Sequence, residues 1–197
     1  MSKLVDYYFS PSSPWTYLGH QRFADIARQR GARVEVKPMD LGVIFPQSGG
    51  LPVGKRAPQR QAYRLMELAR WKAHLGVPLN VQPKFFPVDS NLAALVIVAA
   101  APSGADAQMR LAGAILRAVW AEELNIAEPA TLRAAAAKVG LDGDRLLADA
   151  PGAKARYDAL TQEALARGVF GAPTYVYRGE LFWGQDRLDF LDRVLAT

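Results

Sequence analysis

The chain of 197 residues contains no cysteine, so it can carry out no dithiol chemistry of its own. Any thiol that takes part in its function must come from another molecule. The two histidines, His20 and His74, have no potential ligand at a spacing typical of a metal centre, so the sequence predicts no metal. The longest apolar run, residues 92–101, is about half of the roughly 20 residues that span a bilayer, and we expect no membrane partner.

The composition favours a folded enzyme or binding protein that acts on small anions. Half of the residues are hydrophobic, enough for a sizeable core. The net charge is +5, and Lys55, Arg56, Arg60 and Arg64 stand close together, which suits small anionic ligands. No recognised nucleic-acid-binding motif accompanies this charge, so we expect no nucleic-acid partner. Because no leader-like segment precedes the first strand pattern, the expected location is the cytoplasm.

The first forty residues follow a strand–helix–strand pattern. Residues 4–9 are dense in valine and aromatic side chains, as is typical of a buried strand. Ser13 is a favoured N-cap and Pro14 a favoured first helical residue, so a helix should begin here and end near Arg30. Residues 33–37 alternate apolar and charged side chains, which predicts a second strand. The connection is long enough for a right-handed crossover between parallel strands.

The middle of the chain, from residue 40 to 167, shows no strand pattern. We expect a loop over residues 47–58, because this stretch is rich in glycine and proline. Apolar periodicity and helix-start signals predict helices elsewhere in this block. The predicted helices span residues 58–75, 91–100, 105–123, 131–139, 142–147 and 154–167.

The end of the chain returns to strands. Residues 174–177 and 181–183 flank a tight Arg178-Gly179 turn, which predicts a β-hairpin, and an amphipathic helix should follow over residues 185–195. The whole order is typical of an α/β protein with a thioredoxin-like β-α-β…β-β-α domain and a large all-helical insertion. We assign residues 1–40 and 168–197 to the thioredoxin-like domain and residues 41–167 to the insertion. The last helix of the insertion could belong to either domain.

Ser13 is the first candidate for chemistry, because it stands where a thioredoxin-like fold would carry its cysteine motif. A helix N-terminus stabilises anions, and a serine hydroxyl there could donate a hydrogen bond to the thiolate of a ligand. The alternative is that Ser13 only caps the helix, which contributes about 1 kcal/mol.

Two further segments complete the candidate site. Pro173 opens a predicted strand, and in thioredoxin-like folds a cis proline at this point faces the active-site turn and pairs with a bound peptide. Asp186 near the start of the last helix could hold the ammonium group of a zwitterionic ligand, or simply favour the helix N-terminus. Lys55, Arg56 and Arg60 could recognise a substrate carboxylate or form an ordinary solvated loop, and their sequence context supports both equally.

The chain resembles the 2-hydroxychromene-2-carboxylate isomerase family, which is related to kappa-class glutathione transferases and, more distantly, to DsbA-type oxidoreductases. The resemblance covers essentially the whole chain. Ser10 is a departure, since family members often have an acidic residue there. The segments that carry the resemblance are Phe9…Ser13-Pro14-Trp15-Thr16-Tyr17-Leu18, Leu68…Arg70-Trp71…Gly76-Val77-Pro78-Leu79, Ala118-Val119-Trp120 and Val169-Phe170-Gly171-Ala172-Pro173-Thr174…Trp183-Gly184-Gln185-Asp186-Arg187.

The resemblance implies a glutathione-dependent isomerase of aromatic-hydrocarbon catabolism, acting on a small aromatic carboxylate as a cytoplasmic homodimer. It implies that Ser13 is catalytic. It also implies that glutathione is bound by Ser13, Ala172, Pro173, Trp183, Gly184, Gln185 and Asp186, and the substrate by Lys55, Ile44 and Phe45. Two alternatives stay open: a kappa-like transferase that conjugates electrophiles, and a glutathione-free binding or chaperone module.

Overall fold

The computed structural model describes residues 3–197, so the predicted start of the first domain at residue 1 lies outside the described residues. Its sheet has four strands in the order β2-β1-β3-β4. Strands β1 and β2 are parallel, whereas β3 is antiparallel to both of its neighbours, β1 and β4. This is the predicted β-α-β…β-β-α arrangement. The strands are β1 (Leu4–Phe9), β2 (Arg33–Pro38), β3 (Thr174–Tyr177) and β4 (Glu180–Trp183).

Helices occupy most of the remaining chain, and within residues 41–167 the structure contains no strand, as predicted. Short 3-10 turns link several of the helices. The helices are α1 (Pro14–Gln29), α2 (Leu41–Ser48), α3 (Pro58–Leu75), α4 (Asn91–Ala99), α5 (Ala105–Trp120), α6 (Pro129–Lys138), α7 (Gly143–Asp149), α8 (Lys154–Ala166) and α9 (Leu188–Ala196).

Two sequence predictions in this block were wrong. The first is α2, for which no helix was predicted. It begins because the Asp40 side chain accepts a hydrogen bond from the amide of Gly42, and it continues through Pro46. The second is the end of α5, which stops at Trp120 rather than Glu123. Glu123 has a φ of 54°, a left-handed conformation that a helix cannot contain.

Alternation along β1 divides the core between the two faces of the sheet. Val5, Tyr7 and Phe9 belong to the large cluster that includes residues of α1, α5 and α9. Tyr8 points the other way, into a smaller cluster with residues of α2 and α8. Because both faces are covered, β1 is buried along nearly its whole length, which explains why all of its residues except Asp6 are apolar or aromatic.

A buried ionic cluster fastens α8 to the second face of the sheet. The Nζ of Lys37 lies 2.6 Å from Asp6 and 2.7 Å from Glu163, and Arg167 lies 2.6 Å from Asp6. The hydroxyl of Tyr8 also donates to Glu163. Burial favours the neutral form of Glu163, but hydrogen bonds from Lys37 and Tyr8 hold its pKa below the ordinary value.

The helical block packs directly against the sheet, since α4, α5 and α8 all contact β2. The division of the chain at residues 40 and 168 therefore stays a prediction. The last helix also returns to the beginning of the chain. Arg30 forms two hydrogen bonds with Asp192, and Lys3 donates to the carbonyl of Leu195.

Candidate active site

Ser13 caps α1, as predicted, and its side chain is held in place from two sides. Its hydroxyl oxygen accepts a hydrogen bond from the amide of Thr16 at 3.2 Å. The hydroxyl also donates to the carbonyl of Ala172 at 3.5 Å, which is the long limit for such a bond. Only 8% of Ser13 is exposed. The hydroxyl is therefore a nearly buried donor at the positive end of a helix, and its weak bond to Ala172 can be exchanged for one to an anion.

The Ala172-Pro173 segment faces this turn. The peptide bond between the two residues is cis, as the thioredoxin-like pattern predicted. The carbonyl of Pro173 accepts a hydrogen bond from the amide of Gly184 at 2.9 Å. A Cβ at Gly171 would lie 2.5 Å from Nε1 of Trp183, so only glycine lets the indole pack this closely. The backbone thus joins this segment to the turn that follows β4.

The segment from Trp183 to Asp186 is the third part of the site. Trp183 is 51% exposed, and its ring meets that of Phe170 edge to face at 4.7 Å. Gly184 has a φ of 103°, in the region that favours glycine. Asp186 is exposed, and its carboxylate lies 3.2 Å from Arg187. An aromatic surface, a glycine turn and an exposed carboxylate therefore lie next to one another.

Gln185 is buried and ties this segment to α1. Its Cβ approaches Gly19 so closely that a side chain at that glycine would clash at 2.7 Å. Arg22 donates hydrogen bonds to the side-chain oxygen of Gln185 at 3.0 Å and to its carbonyl at 3.3 Å. No local sequence pattern indicates the role of Arg22, because its partner is far away in the chain.

His20 fixes α1 beneath the site. Its Nε2 lies 2.9 Å from the carbonyl of Met109, which can only accept, so Nε2 carries the proton. Nδ1 therefore accepts a hydrogen bond from the hydroxyl of Tyr7 at 3.1 Å. Burial lowers the pKa of His20 to about 4, which keeps the ring neutral. The histidine is therefore a structural group.

The residues predicted to bind substrate differ from one another in how exposed they are. Lys55 is exposed at the end of a 3-10 turn, and Phe45 is partly buried against Gly50. Ile44 is completely buried and packs in the smaller core cluster beside Tyr8. The binding roles of Lys55, Ile44 and Phe45 stay predictions.

Arg64, the last of the closely spaced basic residues between positions 55 and 64, is buried. It lies on the inward face of α3, and 7% of it is exposed. Its guanidinium lies 4.9 Å from the ring centre of Phe86 and 5.8 Å from that of Trp120. The indole of Trp120 donates to the carbonyl of Ser12 at 3.3 Å, one residue from Ser13. The spacing of Arg64 and Leu68, one turn apart, could have indicated that this arginine faces inward.

Among residues 3–197, no group of three histidine or acidic side chains is placed to hold a metal ion. None of the helices in that range is long and apolar enough to cross a membrane.

Comparison with known proteins gives a consistent result. The family model of the DSBA-like thioredoxin domain matches residues 4–196. The chain is 32% identical to a 2-hydroxychromene-2-carboxylate isomerase of Sphingobium xenophagum over 99% of both chains. A solved structure of such an isomerase matches with a TM-score of 0.82 and 29% identity, covering 98% of this chain and 94% of the other. Human glutathione S-transferase kappa 1 is 24% identical, over 100% of this chain and 92% of its own.

The first of these matches defines the class, a DsbA-like thioredoxin domain in which serine stands at the turn before α1. Within that class, the chain belongs to the 2-hydroxychromene-2-carboxylate isomerase family. Both the resemblance inferred from the motifs and the expectation of an isomerase are confirmed.

Proposed function

We propose that the protein is a glutathione-dependent isomerase that converts 2-hydroxychromene-2-carboxylate, or a close analogue, to trans-o-hydroxybenzylidenepyruvate. The observation that carries the proposal is the nearly buried Ser13 hydroxyl at the N-terminus of α1, in a chain that has no thiol of its own. The names of the isomerase relatives supply the reaction, and the name of the human kappa relative supports glutathione.

The residues around Ser13 suit glutathione. The sulfur would lie at the Ser13 hydroxyl, and the peptide would run along Ala172-Pro173. The γ-glutamyl end would meet the segment from Trp183 to Asp186, where Gly184 keeps the backbone open and the Asp186 carboxylate can accept from an ammonium group. Gln185 is buried and tied to Arg22, so it would position this segment through its backbone.

Ser13 would do most of the chemical work that the chain itself contributes. Bound glutathione would supply a thiolate whose reversible addition to the conjugated double bond turns it into a single bond that can rotate. The Ser13 hydroxyl and the positive end of α1 would stabilise the negative charge on sulfur near neutral pH. Cationic or amide donors near the site would stabilise the negative charge that develops on the substrate's keto oxygen.

The test is an ultraviolet assay of the chromene carboxylate with the purified protein, with and without reduced glutathione. We expect conversion to the ring-opened product only when glutathione is present, and at catalytic amounts of it. Conversion at the same rate without glutathione would refute the cofactor assignment. Failure to convert the substrate under either condition would refute the proposed reaction.

A kappa-like transferase is the second candidate, and the similarity to the human kappa enzyme favours it. Both activities need an activated thiolate, so Ser13 does not separate them. The fate of glutathione does, because an isomerase returns it unchanged whereas a transferase consumes one molecule for each product. A binding or chaperone module would instead show no glutathione binding at concentrations of about 1 mM, a threshold typical of weak binding. The homodimer and the cytoplasmic location stay predictions.

A further inference from the structure

Arg64 is a buried cation without a partner. Its Nη2 is fully buried and makes no hydrogen bond, and no acidic side chain within residues 3–197 forms an ion pair with it. A buried charge is normally paired, because removing it from water is unfavourable unless another group compensates. The charged neighbour that does act on it is another cation, Arg56. Burial, and then the charge of Arg56, lower the pKa of Arg64 to about 10, so it stays charged at neutral pH.

The surroundings of Arg64 define the shape of the ligand that it could take. Phe86 and Trp120 lie against the guanidinium, at 4.9 Å and 5.8 Å from their ring centres, and their own rings are 4.8 Å apart. An arginine that stacks on aromatic rings keeps its N–H groups in the guanidinium plane, where a carboxylate can meet two of them at once. The aromatic rings beside it would suit a flat, apolar body attached to that carboxylate.

The position of Arg64 connects it to the candidate active site. Trp120 contacts the guanidinium on one side and donates to the carbonyl of Ser12 on the other. Ser12 precedes Ser13, so a single tryptophan separates the unpaired cation from the turn at which the thiolate would lie. A small conjugated molecule with a carboxylate at one end matches this arrangement.

We propose that Arg64 binds the carboxylate of the aromatic substrate and so determines its position relative to Ser13. This inference rests on the proposed function, since it deepens the substrate side of the same site. In this proposal the buried Arg64, rather than the exposed Lys55, makes the main contact with the carboxylate. The glycine end of glutathione is the other source of a carboxylate at the site, and the experiment below separates the two.

The experiment measures binding by calorimetry, with chromone-2-carboxylate as the probe and its carboxamide as the uncharged counterpart, at saturating glutathione. The probe is planar and has no exocyclic double bond to isomerise, so binding is read without turnover. The variants are Arg64→Met, which preserves an apolar side chain beside Phe86 and Trp120, and Arg70→Met, which removes an exposed cation paired with Glu67 on the same helix.

We expect Arg64→Met to weaken binding of the carboxylate about 10- to 100-fold, as for loss of a charge-assisted hydrogen-bonded pair, and to leave the carboxamide unaffected. Arg70→Met should change neither by more than about twofold. The affinity for glutathione should be the same in all three proteins. The melting temperature of Arg64→Met should equal or exceed that of the wild type, because the variant removes an uncompensated buried charge.

Equal affinity of the wild type and Arg64→Met for the carboxylate would overturn the proposal. So would equal losses for carboxylate and carboxamide, which indicate damaged packing, or a loss confined to glutathione, which assigns Arg64 to the peptide. If Arg64→Met does not fold, the wild type still provides a test, because it should prefer the carboxylate to the carboxamide at least about tenfold. Absence of that preference would overturn the proposal that Arg64 binds the carboxylate.

The two proposals fail separately. If the wild type binds the carboxylate through Arg64 but does not isomerise the chromene carboxylate, the role of Arg64 stands and the proposed reaction is refuted. If the wild type isomerises it and Arg64→Met has an unchanged KM, the proposed reaction stands and the role of Arg64 is refuted.

Discussion

The region proposed to bind glutathione, the glutathione side, and the region proposed to bind substrate, the substrate side, are built in different ways. The glutathione side consists of the Ser13 turn, the Ala172-Pro173 segment and the segment from Trp183 to Asp186, which are joined by hydrogen bonds such as that from the amide of Gly184 to the carbonyl of Pro173. The substrate side consists of residues 41–64, which contain α2, a 3-10 turn, the beginning of α3 and basic side chains that range from exposed Lys55 to buried Arg64. The backbone organises the first region, whereas individual side chains organise the second. Substitutions should therefore act differently in the two regions.

The largest effect should come from Ser13→Ala on the glutathione side. Loss of a preorganised donor to developing charge should lower turnover roughly 10²- to 10³-fold. Ser12→Ala is the matched control, because the Ser12 hydroxyl faces Ser90 instead and the variant should keep wild-type turnover. Steady-state kinetics at saturating glutathione measures both. A loss below about threefold in Ser13→Ala would mean that the helix terminus alone supports the thiolate and that Ser13 is only a cap.

The stability of the fold around α1, which carries the Ser13 turn, should depend on His20 being neutral. The folded protein holds the pKa of His20 at about 4, below its ordinary value of 6.5, because burial disfavours the charged form. The unfolded chain therefore binds the proton first as the pH falls. The contribution of neutral His20 to the free energy of unfolding is fully present above pH 6.5 and is lost as the pH falls from there toward about 4. This loss should reach about 2 kcal/mol by about pH 5.

Urea unfolding of the wild type, His20→Gln and His74→Gln at about pH 7.5 and about pH 5 measures this contribution. In His20→Gln the decrease in the free energy of unfolding between the two values should shrink by about 2 kcal/mol. His74 is exposed, and its variant should behave as the wild type does. An unchanged decrease in His20→Gln would exclude His20 as its source.

Asp186→Ala should have an intermediate effect on the glutathione side. If the carboxylate accepts from the γ-glutamyl ammonium group, its loss should weaken glutathione binding about tenfold or more. Asp192→Ala is the control. Asp192 belongs to α9 and pairs with Arg30, so its loss should lower the melting temperature slightly without changing the affinity. Calorimetry would disprove the role of Asp186 if its variant binds glutathione as tightly as the wild type.

The smallest effect should come from Lys55→Met on the substrate side. An exposed lysine attracts an anionic substrate through solvent, so its loss should raise KM only about two- to fivefold, and less at high salt. Measurement of KM at low and high ionic strength tests this. A salt-independent increase as large as that expected for Arg64→Met would show that Lys55, rather than Arg64, holds the carboxylate.

The same contrast explains how much could be predicted from the sequence. The strands, α1 and the Ser13 cap follow from local patterns, because apolar alternation and capping residues act on neighbouring backbone groups. The family resemblance implied the glutathione-binding roles of Ala172 and Asp186, and these roles stay predictions.

Helix α2 was missed because proline and glycine residues hide its pattern, although Asp40 supplies its cap. The aromatic neighbours of Arg64 and the bonds from Arg22 to Gln185 could not be predicted, since they depend on which distant residues the folded chain brings together. In both cases the residue is an arginine, a type that is ordinarily exposed, and its contacts form only in the tertiary structure.

The strand order has a consequence for how the protein is made. Tyr7 in β1 pairs on one side with Val36, early in the chain, and on the other with Tyr175, near its end. Strand β3 lies between β1 and β4, so the sheet stays incomplete during synthesis until almost the whole chain has left the ribosome. Contacts between such distant segments form slowly, because a long loop must close first. A nascent or truncated chain that ends with α8 would therefore contain the Ser13 turn but neither of the segments that complete the site.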